Sequence, residues 1–470
     1  MSAEQAGAFA TSEAPEKSES ADLLWAKGLP LDRVIHDFTV DEDPVLDPLI
    51  LPWDVIGSAA HVRMLAHVDL LSAEDAGSLL DALRLLHGQA LAGELPIHAS
   101  QEDGHTALEQ ALVERAGQAG RRVHLARSRN DQVILALRLY LRDALLGMGE
   151  SLVALAGAFA ELAGRHLDTP MPGYTHMRRA MPSSVGQWSL AFAEGLVEEL
   201  EALEGLWKRL DRCPLGAAAG FGVPLAIDRE YTARLLGFRK VQRNPIDVNN
   251  SRGRHELAVL HWLGSVAGVL EKGLWDLALF STEEYGFFQL PDAFTTGSSI
   301  MPQKRNPDVV ELARGRCREL RGAAAQLEHL AGGLPSSYHR DSQLMKAPLL
   351  RAVSRARSLL PVLTRLVSGL RVNPQALAEA CDDGLYAAHE ACRRAAAGMA
   401  FRDAYGEVAG EILAERFQPD RDALSGSHTG GVARPGISAC EVEIAGRREW
   451  LACLRRRQQQ SIQALWSDDS

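Results

Sequence analysis

The sequence has few aromatic residues, few cysteines and no long apolar run, and each of these shortages excludes a class of protein. Aromatic residues make up 6% of the 470 residues, and runs of β-branched residues are rare, so a protein built mainly from strands is not expected. The six cysteines are widely spaced and form no CxxC pair, so neither a zinc site nor a redox dithiol is indicated. No uninterrupted apolar stretch reaches the roughly 18 residues of a membrane span, and we expect no membrane partner.

Basic residues are also too few for a nucleic-acid-binding protein. Lys and Arg number 50 against 61 Asp and Glu, which gives a formal net charge of −11, whereas nucleic-acid binding needs a surplus of cations to displace counterions. Residues 1–20 are small, polar and acidic, without the apolar segment of a secretory signal. We therefore expect a cytoplasmic protein with a disordered tail over residues 1–20 and no nucleic-acid partner.

The abundant residues, Ala, Leu, Arg and Glu, favour helices. Apolar residues recur at spacings of 3, 4 and 7 and predict long helices over residues 131–166, 184–210, 255–288 and 308–330. We predict an all-α subunit in three parts: an N-terminal helical domain (21–105), a central bundle of long helices (106–365) and a C-terminal domain of short helices (366–470). Such long helices leave apolar faces uncovered in a single chain, so self-association is expected.

One polar stretch in a connecting region has residues suited to chemistry. Residues 296–308 read TGSSIMPQKRNPD and lead into a predicted helix. Ser298 and Lys304 place a hydroxyl and a cation beside a helix N-terminus, where anionic groups bind well. On residue types alone, a solvated turn that caps the next helix is the favoured interpretation.

Two other stretches offer hydrogen-bond donors to a carboxylate. Ser128-Arg129-Asn130 begins the first long helix, and Arg129 can bind a carboxylate through two hydrogen bonds. An N-cap with a surface arginine fits this stretch equally well. Residues 337–346 read SYHRDSQLMK, and taken alone they fit a polar helix end.

A further stretch, residues 172–178, reads PGYTHMR and contains Thr175 and His176. A single histidine in a loop is more often structural than catalytic. The histidine therefore becomes a candidate only in combination with the other stretches.

Together these segments resemble the fumarase/aspartase superfamily, and within it the argininosuccinate lyases. The 296–308 segment is similar to the superfamily's GSSxMPxKxNP loop, and the Gln before Lys304 and the Asp after Pro307 resemble the argininosuccinate lyase branch. The SRNDQ, GYTH and YHRDSQLMK segments, together with Glu102-Asp103-Gly104-His105, are similar to further blocks of that branch. The resemblance covers roughly residues 20–370 well and the C-terminal hundred residues more weakly.

The resemblance implies an all-α, fumarase/aspartase-like fold and an elimination that releases arginine and fumarate from argininosuccinate, the last step of arginine biosynthesis. It implies no cofactor, no metal and a homotetramer whose sites are shared between chains. The implied catalytic residues are Ser298 as base, His176 as acid polarised by Glu311, and Lys304 as a stabilising cation. The implied substrate-binding residues are Ser128, Arg129, Asn130, Thr175, Asn306, Tyr338, Gln343, Lys346, Asp103 and Arg252.

The chain departs from the family pattern at two places. Arg178 and Met181 stand where the family usually has two glutamines, and Asn250-Ser251-Arg252-Gly253-Arg254 replaces the usual SDRD segment. We take Arg252 as the counterpart of the family's arginine, although both acids are missing and the register is uncertain.

Two kinds of alternative to the implied activity exist: another enzyme of the same superfamily, and a protein of this fold without catalytic activity. Adenylosuccinate lyases, aspartases and fumarases usually have a residue other than Gln303 in the loop, and they lack the paired SRND and YxRDxQxxK segments. A non-catalytic protein on the same scaffold, as in the lens crystallins of this family, is disfavoured because Ser298, Lys304 and His176 are all present.

Overall fold

Helices dominate the computed structural model, which describes residues 32–421 and 426–467. The predicted tail over residues 1–20 lies outside these ranges. The α-helices are α1 (Arg33–Val40), α2 (Asp43–Leu46), α3 (Leu51–His67), α4 (Ala73–Ala92), α5 (Gly104–Ala116), α6 (Arg129–Arg165), α7 (Val185–Leu210), α8 (Arg229–Leu235), α9 (Pro245–Asn250), α10 (Arg254–Phe280), α11 (Asp308–Ala331), α12 (Lys346–Gly369), α13 (Pro374–Ala380), α14 (Ala387–Ala396), α15 (Phe401–Leu413) and α16 (Ile437–Ala464).

The strands are short and form two-stranded pairs between the helices. They are β1 (Pro170–Thr175), β2 (Arg178–Ser184), β3 (Arg212–Cys213), β4 (Lys240–Val241), β5 (Phe288–Gln289), β6 (Thr296–Gly297), β7 (Arg305–Asn306) and β8 (Arg371–Val372). β1 and β2 form an antiparallel hairpin, β3 pairs with β4 in parallel, and β5–β8 and β6–β7 are antiparallel. The all-α fold class is confirmed.

The long helices share one large apolar core. Buried side chains of α6, α7, α10, α11, α12 and α16 form a continuous cluster, whereas α3, α4 and α5 pack around a separate cluster. The most apolar 18-residue window of α6 has a mean hydropathy of 1.4, and 67% of it is buried inside the chain. The corresponding window of the segment Pro245–Phe280 has a mean hydropathy of 1.2, and 50% of it is buried. Their apolar character is that of helices at the centre of a bundle.

Two arginines lie inside this apolar bundle, on α6. Arg142 is enclosed between the rings of Trp207 and Phe238, with its guanidinium carbon 5.2 and 4.2 Å from their centroids, and its Nη2 lies 3.4 Å from Asp211. Arg138 donates to His255 Nδ1 at 2.6 Å. Arg142 thus lies beside an acid, and Arg138 is hydrogen-bonded, so neither buried cation is without polar partners.

The predicted long helices are present, with one boundary wrong. The predictions for 131–166, 184–210 and 308–330 agree with α6, α7 and α11 to within two residues at each end. α10 ends at Phe280 rather than 288, because the chain turns back there: the N–H of Phe287 donates to the carbonyl of Phe280. The apolar residues after position 280 belong to an aromatic cluster of Tyr174, Phe280, Tyr285 and Phe287.

The prediction of short helices throughout the last hundred residues was wrong. α16 is 28 residues long and packs against α6 and α7 in the central bundle. Its sequence is rich in charged residues and buries few side chains, among them Cys440, Ile444 and Leu451, so its apolar spacing was too sparse to be recognised. The domain boundaries at residues 105 and 365 stay predictions.

The bundle has two ends that are far apart. At the first end, a Cβ added to Gly253, just before α10, would lie 2.6 Å from Ala331 at the end of α11. At the other, Phe280 at the end of α10 lies 5.9 Å from the ring of Tyr174 in β1. A helix the length of α10 spans about 40 Å. We call these the cleft end and the hairpin end.

Candidate active site

A polar cleft opens at the cleft end of the bundle, and it gathers most of the predicted substrate-binding residues. Its volume is about 610 Å³. It combines cationic, acidic and amide side chains from α2, α5, α6, α12 and the connections between helices. The lining residues are Asp43, Asp103, His105, Arg129, Asn130, Val133, Arg252, Tyr338, Arg340, Gln343 and Lys346.

The first turn of α6 positions Ser128, Arg129 and Asn130. Ser128 is the N-cap: its hydroxyl accepts from the N–H of Asn130, and Asp131 accepts in return from the N–H of Ser128 at 3.0 Å, which forms a capping box. The N-cap interpretation of Ser128 is therefore correct. The cap also orients Arg129, because Arg129 is the first residue of α6 and its side chain starts from a fixed position on the first turn.

Arg129 is held by acids rather than lying free on the surface. Its Nη1 lies 3.3 Å from Glu102 and 3.4 Å from Asp103, and its Nη2 donates to the hydroxyl of Thr106 at 2.9 Å. Asp103 is the N-cap of α5 and accepts from the N–H of Thr106. Burial would raise the pKa of Asp103, but His105, Arg129 and the Thr106 hydrogen bonds lower it. Asp103 thus stays ionised at the cleft wall.

Lys346 is buried at the base of the cleft. Its side chain is 5% exposed, and Nζ lies 2.6 Å from Asp43 and 2.7 Å from Asp47. Burial alone would lower the pKa of Lys346, but the charges of Asp47 and Asp43 and the hydrogen bonds with both raise it. The ammonium group is therefore charged and already paired before any ligand arrives.

Gln343 and Arg340 contact the N-terminal part of the chain. The amide of Gln343 donates to the carbonyls of Thr39 and Val40 at 3.1 and 3.3 Å, and Arg340 donates to Thr39 at 2.9 Å and to Glu102 at 2.9 Å. Both residues thereby join the C-terminal end of α1 to the cleft.

Arg252 lines the cleft from the segment that departs from the family pattern. Its Nε lies 3.4 Å from Glu256, and Nη2 donates to the carbonyl of Ser342 at 2.9 Å. Gly253 follows with φ 78° and no room for a side chain beside Ala331. Arg252 thus lies in the cleft, with Glu256 as its acidic neighbour, and its match to the family's arginine stays a prediction.

The loop that carries Ser298 is closed by the β6–β7 pair, in which Thr296 is opposite Asn306 and Gly297 opposite Arg305. The hydroxyl oxygen of Ser298 accepts from the N–H groups of Ile300 at 3.3 Å and Met301 at 3.1 Å. Ile300 is 86% exposed. The loop therefore presents Ser298 with two donors already directed at its oxygen.

Thr175 and His176 lie at the tip of the β1–β2 hairpin. His176 and Met177 form the turn, with φ 52° and 59°, as in the two-residue turns typical of hairpins. The predicted loop is thus a hairpin, and His176 is exposed at its end. Thr175 lines a second cavity of about 750 Å³ together with Tyr174, Met181, His389 and His428.

The expected pairing of His176 with Glu311 does not form within the chain. Glu311 lies in the first turn of α11, and among the described residues no hydrogen bond or ion pair joins it to His176. Polarisation of His176 by Glu311 is therefore absent from the single chain.

The predicted site residues fall into two groups at opposite ends of the bundle. Arg129, Arg252 and Lys346 lie at the cleft end, whereas His176 and the Ser298 loop lie at the hairpin end, because β1 contacts Phe280 and the loop precedes the start of α11. α11 runs from that loop to Ala331 over 24 residues, which is about 36 Å. A single chain therefore does not bring the two groups into one site.

Sequence reasoning missed the acids that hold the cleft together. Asp43 and Asp47 pair with Lys346, and Asp54 lies 2.7 Å from His105 Nδ1. Among the described residues, no group of three or more His, Cys, Asp or Glu is arranged to hold a metal. The only sequence signal for Asp43 and Asp47 was an acidic stretch before α3, which is common on protein surfaces.

Comparison with known proteins places the chain in a family. A family model described as "Lyase" matches residues 25–322. An argininosuccinate lyase of Sorangium cellulosum is 46% identical over 83% of this chain and 91% of its own length, and one of Parabacteroides distasonis is 38% identical over 88% and 92%.

Solved structures with the same fold include other lyases. An EDDS lyase in complex with formate superposes with a TM-score of 0.79 at 24% identity, covering 92% of this chain and 94% of its own. A class II fumarase of Schistosoma mansoni gives a TM-score of 0.68 at 17% identity, covering 83% and 96%. At these identities the structures establish the fold, and the sequence relatives establish the family. The chain belongs to the argininosuccinate lyase family.

Proposed function

We propose that the protein cleaves argininosuccinate to L-arginine and fumarate by elimination. A proton leaves the carbon next to a carboxylate, the C–N bond one carbon away breaks, and the departing guanidinium nitrogen receives a proton. The observation that carries the proposal is the Ser298 loop in a chain 46% identical to an argininosuccinate lyase, with two N–H groups directed at the Ser298 oxygen.

Ser298 is the general base of this proposal. A serine hydroxyl is normally too weak a base, but hydrogen-bond donors lower the free energy of its alkoxide. The N–H groups of Ile300 and Met301 supply such donors, and Lys304 adds a positive charge on the same loop. Closure of the loop over the substrate would exclude water and strengthen these interactions.

The remaining steps are assigned to residues at both ends of the bundle. Lys304 and Asn306 stabilise the dianion that forms when the proton leaves, and His176 protonates the leaving nitrogen, with Glu311 as its partner. Ser128, Arg129, Asn130, Thr175, Tyr338, Gln343, Lys346, Asp103 and Arg252 bind the substrate, whose three carboxylates need several separate cationic or polar anchors.

The separation of the two groups supports a site shared between chains of a homotetramer. The Ser298 loop and the Arg129 cleft lie about 36 Å apart along α11, too far for one small substrate to contact both in a single chain. Neighbouring bundles packed with their ends in opposite directions would bring a hairpin end to a cleft end. We further propose that the enzyme is cytoplasmic and works without a cofactor.

Mixing inactive variants tests the shared site. Ser298→Ala changes the hairpin end and Arg129→Met the cleft end, so in mixed oligomers a fraction of sites would combine intact residues from two chains and regain activity. Ser298→Ala mixed with Lys304→Met is the matched control, because both residues come from one loop and no site would be intact. If subunit exchange is confirmed and neither mixture is active, the proposal of a shared site is contradicted.

A further inference from the structure

A buried histidine on the wall of the cleft has one ring nitrogen without a partner. His105 is 7% exposed and lines the cleft. Its Nδ1 lies 2.7 Å from Asp54 Oδ2, and because a carboxylate only accepts, Nδ1 carries the hydrogen. Its Nε2 is buried and has no hydrogen-bond partner among the described residues.

The position of this ring is fixed from behind. Asp54, whose side chain is 2% exposed, also accepts from the amide of Gln132 at 2.8 and 3.0 Å. Asp54 thus holds Nδ1, so Nε2 is the ring nitrogen left without a partner among the described residues. A histidine oriented in this way by a carboxylate is prepared to bind something at its second nitrogen.

The surroundings favour the protonated form of His105. Burial would lower its pKa, but the charge and hydrogen bond of Asp54 and the charges of Asp103 and Asp47 raise it. In that form Nε2 is a donor, and a buried donor without an acceptor destabilises the folded chain. An anionic ligand atom in the cleft would remove this cost. The other charged groups lining the same cleft are Asp43, Arg129, Arg252, Arg340 and Lys346.

We propose that His105 binds a carboxylate of the substrate through Nε2–H, with Asp54 as its positioning residue. This inference rests on the proposed function, since it takes the ligand to be a carboxylate of argininosuccinate or of its products. The cations of the cleft are largely occupied, Lys346 by Asp43 and Asp47 and Arg129 by Glu102 and Asp103. His105 is thus a donor that the folded chain leaves unused beside them.

Two substitutions separate the two nitrogens of the ring. In His105→Asn the amide can replace Nδ1 and keep the contact with Asp54, but it does not reach the position of Nε2. In His105→Gln the amide nitrogen reaches towards the position of Nε2. Circular dichroism and thermal unfolding of both variants show whether the fold is kept.

The test is calorimetric titration of wild type and both variants with fumarate and, separately, with L-arginine, alongside turnover of argininosuccinate. We expect His105→Asn to weaken the binding of one of the two ligands by roughly ten- to a hundredfold, and His105→Gln to weaken it less. The ligand affected identifies which half of the substrate His105 holds. KM should rise in His105→Asn more than kcat falls.

Unchanged affinity of a folded His105→Asn for both ligands would overturn the proposal and mean that water satisfies Nε2. So would equal losses in His105→Asn and His105→Gln. Failure of the proposed function is a different result: wild type would release no fumarate from argininosuccinate, whereas the comparison of ligand affinities does not depend on turnover. Wild type that binds neither ligand and releases no fumarate would overturn both.

Discussion

Replacing Lys346 by methionine should damage the stability of the protein as well as substrate binding. Lys346 was predicted as a substrate anchor, but its ammonium group is buried between Asp43 and Asp47. Removing it would leave two carboxylates buried without their cation. Breaking a buried ion pair from one side typically costs about 3–5 kcal/mol, so we expect the free energy of unfolding to fall by that amount in Lys346→Met. The same change should raise KM by roughly ten- to a hundredfold, because a lost charge-assisted hydrogen bond is worth about 1.5–3 kcal/mol.

Urea unfolding at fixed protein concentration, with steady-state kinetics on the folded variant, measures both effects. Two variants serve as controls. Lys346→Met combined with Asp43→Asn and Asp47→Asn removes all three charges and should recover much of the lost stability. Lys208→Met breaks the exposed pair with Glu204 and should change stability by less than about 1 kcal/mol. A loss in Lys346→Met no larger than in Lys208→Met would refute the buried pairing, and an unchanged KM would refute its role as an anchor.

Three other predictions address catalysis, metals and pH. Ser298→Ala should lower kcat by about 10²–10⁴-fold with the fold intact, and activity above roughly a tenth of wild type in a fumarate assay would exclude Ser298 as the base. Dialysis against a chelator should leave turnover unchanged, because the sequence contains neither an HExxH nor a CxxC motif; activity lost and then restored by a divalent metal would contradict this. Burial, and then the charge of Arg138, lower the pKa of His255 to about 2. The stability that the neutral imidazole provides is therefore present above pH 6.5. It is lost as the pH falls below that value, by about 1.4 kcal/mol per pH unit. His255→Asn keeps an acceptor for Arg138 but does not titrate. The free energy of unfolding in urea should therefore depend less steeply on pH in this variant than in wild type between pH 6.5 and 4. An equal pH dependence in both proteins would show that His255 is protonated in the folded protein.

The long helices were predictable because their apolar spacing is dense. α6, α7 and α11 have closely spaced apolar residues along their whole length, and Ser128 and Ser184 cap α6 and α7 as their residue type favours. The hairpin was missed because PMPGYT and RRAMPSS contain three prolines and do not alternate between apolar and polar residues, which hides the usual strand pattern. α16 was missed because its charged residues are many and its buried apolar residues are few, so no long apolar spacing is visible in the sequence.

The site was predictable as a set of segments and not as an arrangement. The sequence pointed to Arg129, Tyr338, Gln343 and Lys346, which the fold gathers in one cleft. It did not indicate that Lys346 would be buried against two acids, because Asp43 and Asp47 lie about 300 positions earlier and only the packing of α12 on α2 brings them together. The division of the site between two ends of the bundle likewise depends on helix lengths and directions.

The most direct test of the proposed activity is ultraviolet detection of fumarate when the purified protein is supplied with argininosuccinate, with adenylosuccinate, malate and aspartate supplied in parallel. Our account predicts rapid fumarate release from argininosuccinate, with arginine formed in equal amount, and none of comparable rate from the other three. Release from adenylosuccinate, malate or aspartate instead, or no release from any of them by a folded oligomer, would contradict it.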